Sequence, residues 1–83
     1  MAEVIKFTNS SNKGLEILVE PAAEFIDLPP GKSCLIEMTK TTNLYNDPLN
    51  IVLENEMLII YEKRQCEMTI KIDEEIVYYT SFS

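Results

Sequence analysis

The carboxylates of this chain are numerous enough, and close enough in sequence, to form a binding site for a basic partner. Fourteen Asp and Glu residues face seven Lys and Arg residues among 83, giving a net charge of −7. A concentrated negative charge speeds the encounter with a basic partner. Five carboxylates flank or occupy two predicted turns, at 55–56 and 73–75. We therefore take as candidate partner-binding residues Glu54, Glu56, Asp73, Glu74 and Glu75.

The irregular stretch 41–48 offers a second candidate surface. It is the longest part of the chain without an alternating pattern, and it contains Tyr45 and Asp47. Exposed tyrosine is a common anchor of protein–protein interfaces. We add Tyr45 and Asp47 to the candidate partner-binding residues. A tyrosine ring that covers a sheet edge is the alternative.

The residue types that most enzymes need are missing. The chain has no histidine, which removes the usual general base and the common partner of a nucleophilic Ser or Cys. Its two glycines are too few for a phosphate-binding loop. Cys34 and Cys66 match no zinc spacing, a blue-copper site needs two histidines, and the run 73–75 lacks calcium-loop spacing. We expect no catalysis, no cofactor and no metal site.

The charge and the N-terminus indicate which surroundings suit the chain. Nucleic acids and anionic membranes bind proteins through Lys and Arg, which are few here, so we expect neither as a partner. The start MAEVIKF shows no basic segment followed by a long apolar one, so no signal peptide is visible. We expect a cytoplasmic protein whose two cysteines stay reduced.

Short alternating runs separated by turn residues must position these side chains. Apolar residues alternate with polar ones, which is typical of half-buried strands. We predict a single domain over 1–83, with an all-β fold: an antiparallel β-sandwich of about seven or eight strands, immunoglobulin-like or cupredoxin-like without a metal site. The predicted strands are 4–8, 15–20, 25–28, 33–40, 49–54, 57–63, 66–72 and 76–80. The only candidate helix is a single turn at 21–24.

The phase of the alternation predicts the core. We expect the buried residues to be Ile5, Phe7, Ile17, Val19, Ile36, Met38, Ile51, Leu53, Ile59, Met68, Ile70 and Ile72. Cys34 and Cys66 share these inward phases, so both are expected to be buried thiols without a bridge between them.

The last four strands read as a continuous meander. Alternate turns of a meander lie at the same end of one sheet, so the turns at 55–56 and 73–75 should be neighbours. This arrangement predicts an acidic end that contains no cation. The opposite end would gather Lys40, Lys63 and Arg64.

The most distinctive segment is 18–31, with sequence LVEPAAEFIDLPPG, preceded by FTNSS at 7–11. The two together resemble small bacterial β-sandwich proteins, in which a proline kink joins two strands and a PPG hairpin turn follows. The resemblance covers roughly the first forty residues of the chain. Some acidic single-domain proteins of this kind are immunity proteins for contact-dependent growth-inhibition toxins. The resemblance implies an all-β scaffold that binds a toxin.

Two functions fit these observations. The first is a non-catalytic inhibitor of the immunity or antitoxin type, whose acidic surface neutralises a basic toxin domain such as a nuclease. The second is a structural or adaptor subunit that joins a larger assembly through an exposed strand edge.

Overall fold

Eight strands form two four-stranded sheets in the computed structural model, which describes residues 2–40, 48–62 and 66–80. The first sheet has the order β1-β4-β7-β8 and the second the order β3-β2-β6-β5. No helix is present in the described ranges, and so none long and apolar enough to cross a membrane. The strands are β1 Ala2–Thr8, β2 Leu15–Glu20, β3 Glu24–Leu28, β4 Ser33–Lys40, β5 Asn50–Glu54, β6 Met57–Tyr61, β7 Cys66–Ile72 and β8 Glu75–Thr80.

The predicted all-β class and the eight strands are confirmed, with boundaries within about two residues of those predicted, whereas two details of the pairing were wrong. Five of the six strand pairs are antiparallel, but β2 and β6 pair in parallel, with Ile17 opposite Leu58. The last four strands do not form one meander, because β5 and β6 belong to the second sheet and β7 and β8 to the first. The chain therefore crosses between the sheets after β6, where the sequence suggested only a short turn.

One hydrophobic core lies between the two sheets. It takes inward side chains from the first sheet, such as Ile36 and Ile70, and from the second, such as Ile17 and Val19. Seven expected core residues are buried, and Ile5, Phe7, Ile51 and Ile72 are partly buried against them. The buried seven are Ile17, Val19, Ile36, Met38, Ile59, Met68 and Ile70.

One residue of the predicted core is exposed, and another is buried on the opposite face of its strand. Leu53 faces the core side of its sheet opposite Leu58, but 68% of it is exposed, because it lies near the end of edge strand β5. Ile59 is buried on the outer face, and its neighbours Leu58 and Ile60 enter the core instead. The alternation could not choose a face for β6, since five consecutive residues of this strand are apolar or aromatic.

A buried asparagine joins the loops at one end of the sandwich. The Asn9 side chain donates hydrogen bonds from Nδ2 to the carbonyl oxygens of Lys13 (2.8 Å) and Leu28 (3.0 Å). Its Oδ1 accepts from the backbone N–H and the hydroxyl of Ser11. Its backbone N–H donates to the Lys32 carbonyl, and its carbonyl accepts from the Gly31 N–H. Asn9 therefore links the β1–β2 and β3–β4 connections.

The Pro-Pro-Gly segment forms a tight turn, but not a hairpin. The Lys32 N–H donates to the Pro29 carbonyl (3.1 Å), and Gly31 has φ +77°, the combination of a type II turn with Pro30 before the glycine. Because β3 and β4 belong to different sheets, this turn carries the chain across the sandwich. The hairpin is formed by the preceding connection, at 21–23 between β2 and β3, which begins with a cis Glu20–Pro21 bond. The helical turn predicted at 21–24 does not form.

Both cysteines are free and buried, as expected. Cys34 lies opposite Ile72 at one end of the β4–β7 pair, and Cys66 lies opposite Lys40 at the other end. Six residues of strand separate the two ends, a distance of about 20 Å. A disulfide needs Cα atoms within about 7 Å, so the two thiols cannot bridge in this fold.

Replacing Asn9 by alanine should destabilise the protein by about 1–3 kcal/mol, because the buried Leu28 carbonyl would lose its donor. Asn12→Ala provides the control, since Asn12 is exposed in the same loop and should cost less than about 0.5 kcal/mol. Urea denaturation of both variants measures the difference. Equal stabilities would show that the Asn9 bonds do not hold this end together.

Truncation of Ile70, which is fully buried in β7, should cost about 2–5 kcal/mol of unfolding free energy. Leu53→Ala removes a side chain of similar size from an exposed edge and should cost less than about 1 kcal/mol. Thermal and urea denaturation compare the pair. A larger loss for Leu53→Ala would contradict the core described above.

Candidate functional site

The five carboxylates proposed from the sequence lie at one end of the sandwich, but in two different sheets. Glu54 ends β5, and Glu56 lies in the β5–β6 turn of the second sheet. Asp73 and Glu74 form the β7–β8 turn of the first sheet, and Glu75 begins β8. The register brings both turns to the end that Asn9 closes, since Glu16 pairs with Met57 and Cys34 with Ile72. The shared end is as expected, although the two turns are not neighbours in one sheet.

Glu54 and Glu56 join two further carboxylates in a shallow groove of the second sheet. Strand pairing places Asp27 of β3 opposite Glu16 of β2, Glu16 opposite Met57 of β6, and Met57 opposite Glu54 of β5. Side chains at these positions share the outer face, because the residues between them point into the core. We name as the acidic groove the depression lined by Leu15, Glu16, Asp27, Glu54, Glu56 and Met57.

The acidic groove has little internal compensation. No Lys or Arg lines it among the described residues. Lys13 reaches Glu56 from the rim, at 3.8 Å between Nζ and Oε1, with both side chains highly exposed. An exposed pair at this distance stabilises a fold by well under 1 kcal/mol. Glu16 and Asp27 are directly cross-strand, an arrangement of like charges that costs stability.

The other turn lies in mixed rather than acidic surroundings. Asp73 and Glu74 line a second groove together with Lys6, Lys32 and Lys71. Lys32 Nζ lies 3.0 Å from an Asp73 carboxylate oxygen. The expectation of an acidic end without cations was therefore wrong. Lys13 and Lys32 come to this end from the loops that cross between the sheets.

The remaining candidates cannot be placed. Tyr45 and Asp47 lie outside the described residues, as do Lys63 and Arg64 of the proposed basic end. Lys40 ends β4, and its side chain is likewise outside the description. The contribution of the stretch 41–47 to binding remains a prediction from the sequence.

Sequence reasoning missed Glu16 and Asp27. Both were recognisable as polar residues of strands, but nothing placed them beside the 55–56 turn. The signal available was local: a hairpin that turns at 21–23 puts Glu16 opposite Asp27. The parallel β2–β6 pairing brings Glu54 and Met57 beside Glu16 and Asp27. No pattern of neighbouring residues in the sequence indicates this pairing.

One buried titratable group has a shifted pKa. Burial raises the pKa of the Cys34 thiol, which keeps it protonated and unreactive. The described residues contain no group of three or more Cys, Asp and Glu placed to hold a metal ion. What the acidic groove can do chemically is bind cationic side chains.

Tyr78 ties the two sheets together at the rim of the core. Its side chain extends from β8 of the first sheet, and its hydroxyl donates a hydrogen bond to a carboxylate oxygen of Glu62, which follows β6 of the second. Burial, together with this carboxylate, raises the pKa of Tyr78 to about 12. Tyr79 points outward and is exposed.

Comparison of the chain with family models, curated proteins and solved structures finds no match.

The raised pKa of Tyr78 predicts a stability change at alkaline pH. The unfolded chain releases this proton near pH 10, whereas the folded protein holds it until about 12. Folding stability is therefore fully present below pH 10 and falls as the pH rises towards 12. Tyr78→Phe lacks this dependence, so the difference in unfolding free energy between the two proteins should shrink across that window. Urea denaturation from pH 8 upward tests it, and a constant difference would contradict the assignment.

Proposed function

We propose that this chain is a non-catalytic binding protein of the immunity or antitoxin type, which neutralises a basic toxin domain through its acidic groove. The observation that carries the proposal is the gathering of Glu16, Asp27, Glu54 and Glu56 with no lining cation among the described residues. The resemblance of segments 7–11 and 18–31 to small bacterial sandwich proteins of this type supports the same function.

The physical mechanism is electrostatic competition. A nuclease holds the phosphates of its substrate with Lys and Arg side chains. Carboxylates fixed on neighbouring strands present negative charge in a set geometry, so they can occupy those cationic groups in place of phosphates. Charge of opposite sign also raises the association rate, with a strong dependence on salt.

The energetic cost of the acidic groove supports a binding role. Glu16 and Asp27 repel each other across the β2–β3 pair, and Glu54 is one strand beyond Met57 in the same row. A basic partner would relieve this repulsion. Stability that the free protein gives up at the acidic groove would then contribute to the affinity of the complex.

An adaptor role is the second candidate, and a specific observation favours it. Strand β8 is at the edge of the first sheet and pairs only with β7 in the described part of the chain. It exposes Ile76, Val77 and Tyr79. An apolar edge of this kind can accept a strand from another subunit.

The strand order bears on the finer class of the sandwich. The sequence suggested an immunoglobulin-like or cupredoxin-like arrangement. In immunoglobulin domains the first two strands are neighbours in one sheet, whereas β1 and β2 here belong to different sheets. The immunoglobulin alternative is the weaker match.

Charge reversal at the acidic groove tests the proposed function. The probe is the protein encoded by the reading frame beside that of this chain, purified in an inactive form. Glu16→Lys with Glu54→Lys should lower its association rate about tenfold or more at low salt, because two of the four carboxylates that attract it are reversed in charge. The same substitutions should abolish protection of cells that express the active toxin. Stopped-flow kinetics and a growth assay provide the two measurements.

Glu74→Lys with Glu75→Lys is the matched control. It changes the net charge by the same amount at the same end of the molecule, but in the other sheet. The association rate should then fall no more than about threefold, the share due to overall charge. Equal losses in the two variants, or full protection by the groove variant, would contradict the proposal.

A further inference from the structure

An apolar row crosses the outer face of the second sheet beside the acidic groove. The register places Phe25 of β3 opposite Leu18 of β2, Leu18 opposite Ile59 of β6, and Ile59 opposite Val52 of β5. All four side chains lie on the face turned away from the core. We call these four residues the apolar row. A sheet face in contact with solvent alone normally carries polar residues at such positions.

The ends of the apolar row are its accessible parts. Phe25 is 60% exposed, Leu18 and Val52 are half-buried, and Ile59 at the centre is covered by its neighbours. Tyr61 lies two positions after Ile59 on β6, and so on the same face, where its ring is exposed. The outer face therefore carries apolar side chains at paired positions on all four strands, with exposed aromatic rings at Phe25 and Tyr61.

Acidic side chains flank the apolar row on both sides. The row of Asp27, Glu16, Met57 and Glu54 runs beside it on one side, and Glu20 lies beside Tyr61 on the other. Two positions along a strand separate neighbouring rows, a distance of about 7 Å. The described residues place no Lys or Arg on this face. An occupant must therefore bring apolar side chains at its centre and positive charge at its margins.

A second copy of the chain does not meet this requirement. Two copies that met through this face in a two-fold dimer would bring identical patches together. Their carboxylates, Glu16, Asp27 and Glu54 of each, would then be covered with no cation to pair with, because the described residues place none on this face. Covering carboxylates without a cation disfavours association.

We propose that the outer face of the second sheet is a docking surface for an amphipathic helix of a partner protein, with apolar residues on one side and Lys or Arg along both flanks. The inference deepens the proposed function and rests on it, because it adds the chemistry of the partner segment. Four strands span about 14 Å, the length of about nine helical residues. A helix laid along the apolar row, about 10 Å wide, brings one flank over Asp27, Glu16 and Glu54 and the other over Glu20.

The two kinds of contact have different consequences. Burial of the apolar row and of Phe25 supplies affinity that salt does not weaken, and the carboxylates supply orientation and association rate. Binding that depended on the carboxylates alone would disappear at high salt.

Two synthetic helices of about 18 residues, long enough to form in isolation, serve as probes. The first carries leucine on one face and lysine on both flanks, and the second has glutamine in place of every leucine. Titration calorimetry at about 50 and about 500 mM NaCl compares them. The unmodified protein should bind the leucine helix about tenfold or more tightly than the glutamine helix, and should retain that preference at the higher salt concentration.

Phe25→Gln with Val52→Thr should remove the preference, since these residues form the two ends of the apolar row. Val4→Thr with Tyr79→Gln is the control, because these exposed residues occupy the two edge strands of the other sheet's outer face. Neither pair changes the net charge. Circular dichroism checks the fold of each variant, and Phe25→Gln alone replaces the double variant if that one unfolds.

Three results would overturn the inference: equal binding of the two helices, equal loss in the test and control variants, or a dimer in sedimentation that Phe25→Gln dissociates. The outcomes separate this inference from the proposed function. Suppose that the Glu16 and Glu54 reversals slow association of the toxin domain but the Phe25 and Val52 changes do not affect its binding. The acidic groove is then supported as the binding site, and the role of the apolar row is contradicted. If the reversals have no effect, the proposed function itself fails.

Discussion

The hydrogen bonds of the buried Asn9 amide hold the loop end of this sandwich together. A residue only 5% exposed satisfies carbonyl groups of two separate connections and, through its own backbone, fixes the turn into β4. Loops at the end of a sandwich leave backbone groups without strand partners, and a buried amide with two donors and an acceptor replaces those partners locally. The start of β2 and the end of β3 depend on this arrangement. They are the strands that carry Glu16 and Asp27 into the acidic groove.

The distribution of charge follows the faces of the sandwich. The outer face of the first sheet and its turns mix Lys6, Lys32 and Lys71 with carboxylates, including the Lys71–Glu37 pair at 3.0 Å. The outer face of the second sheet has carboxylates beside apolar side chains and no described cation. Among the described residues, the carboxylates of the second sheet's outer face are therefore less compensated by cations than those of the first sheet. Such asymmetry orients a charged partner before contact, which total charge alone cannot do.

The parallel pairing of β2 with β6 is the feature on which both proposed surfaces depend. It places the β2–β3 hairpin beside the β5–β6 hairpin, so that four outward positions align in one apolar row and four in the neighbouring row. Each hairpin by itself contributes only half of either surface. The central position of β2 and β6 also explains why β6 is apolar on both faces: one side enters the core and the other forms the centre of the apolar row.

Alternation and turn residues determined the all-β class, the eight strands to within about two residues and most of the core, because these depend on local geometry. The inward phase of Ile17, Ile36 and Ile70 follows from neighbours in the chain, and so does the turn at Pro30 and Gly31. Contacts between distant segments decide which strand joins which sheet. They also decide the parallel β2–β6 pair and which residues lie beside Glu54. Local patterns cannot choose among such pairings, since the same inward face can be buried against several partners. The tertiary structure decided them, because burying all the inward faces in one core requires a particular order of strands.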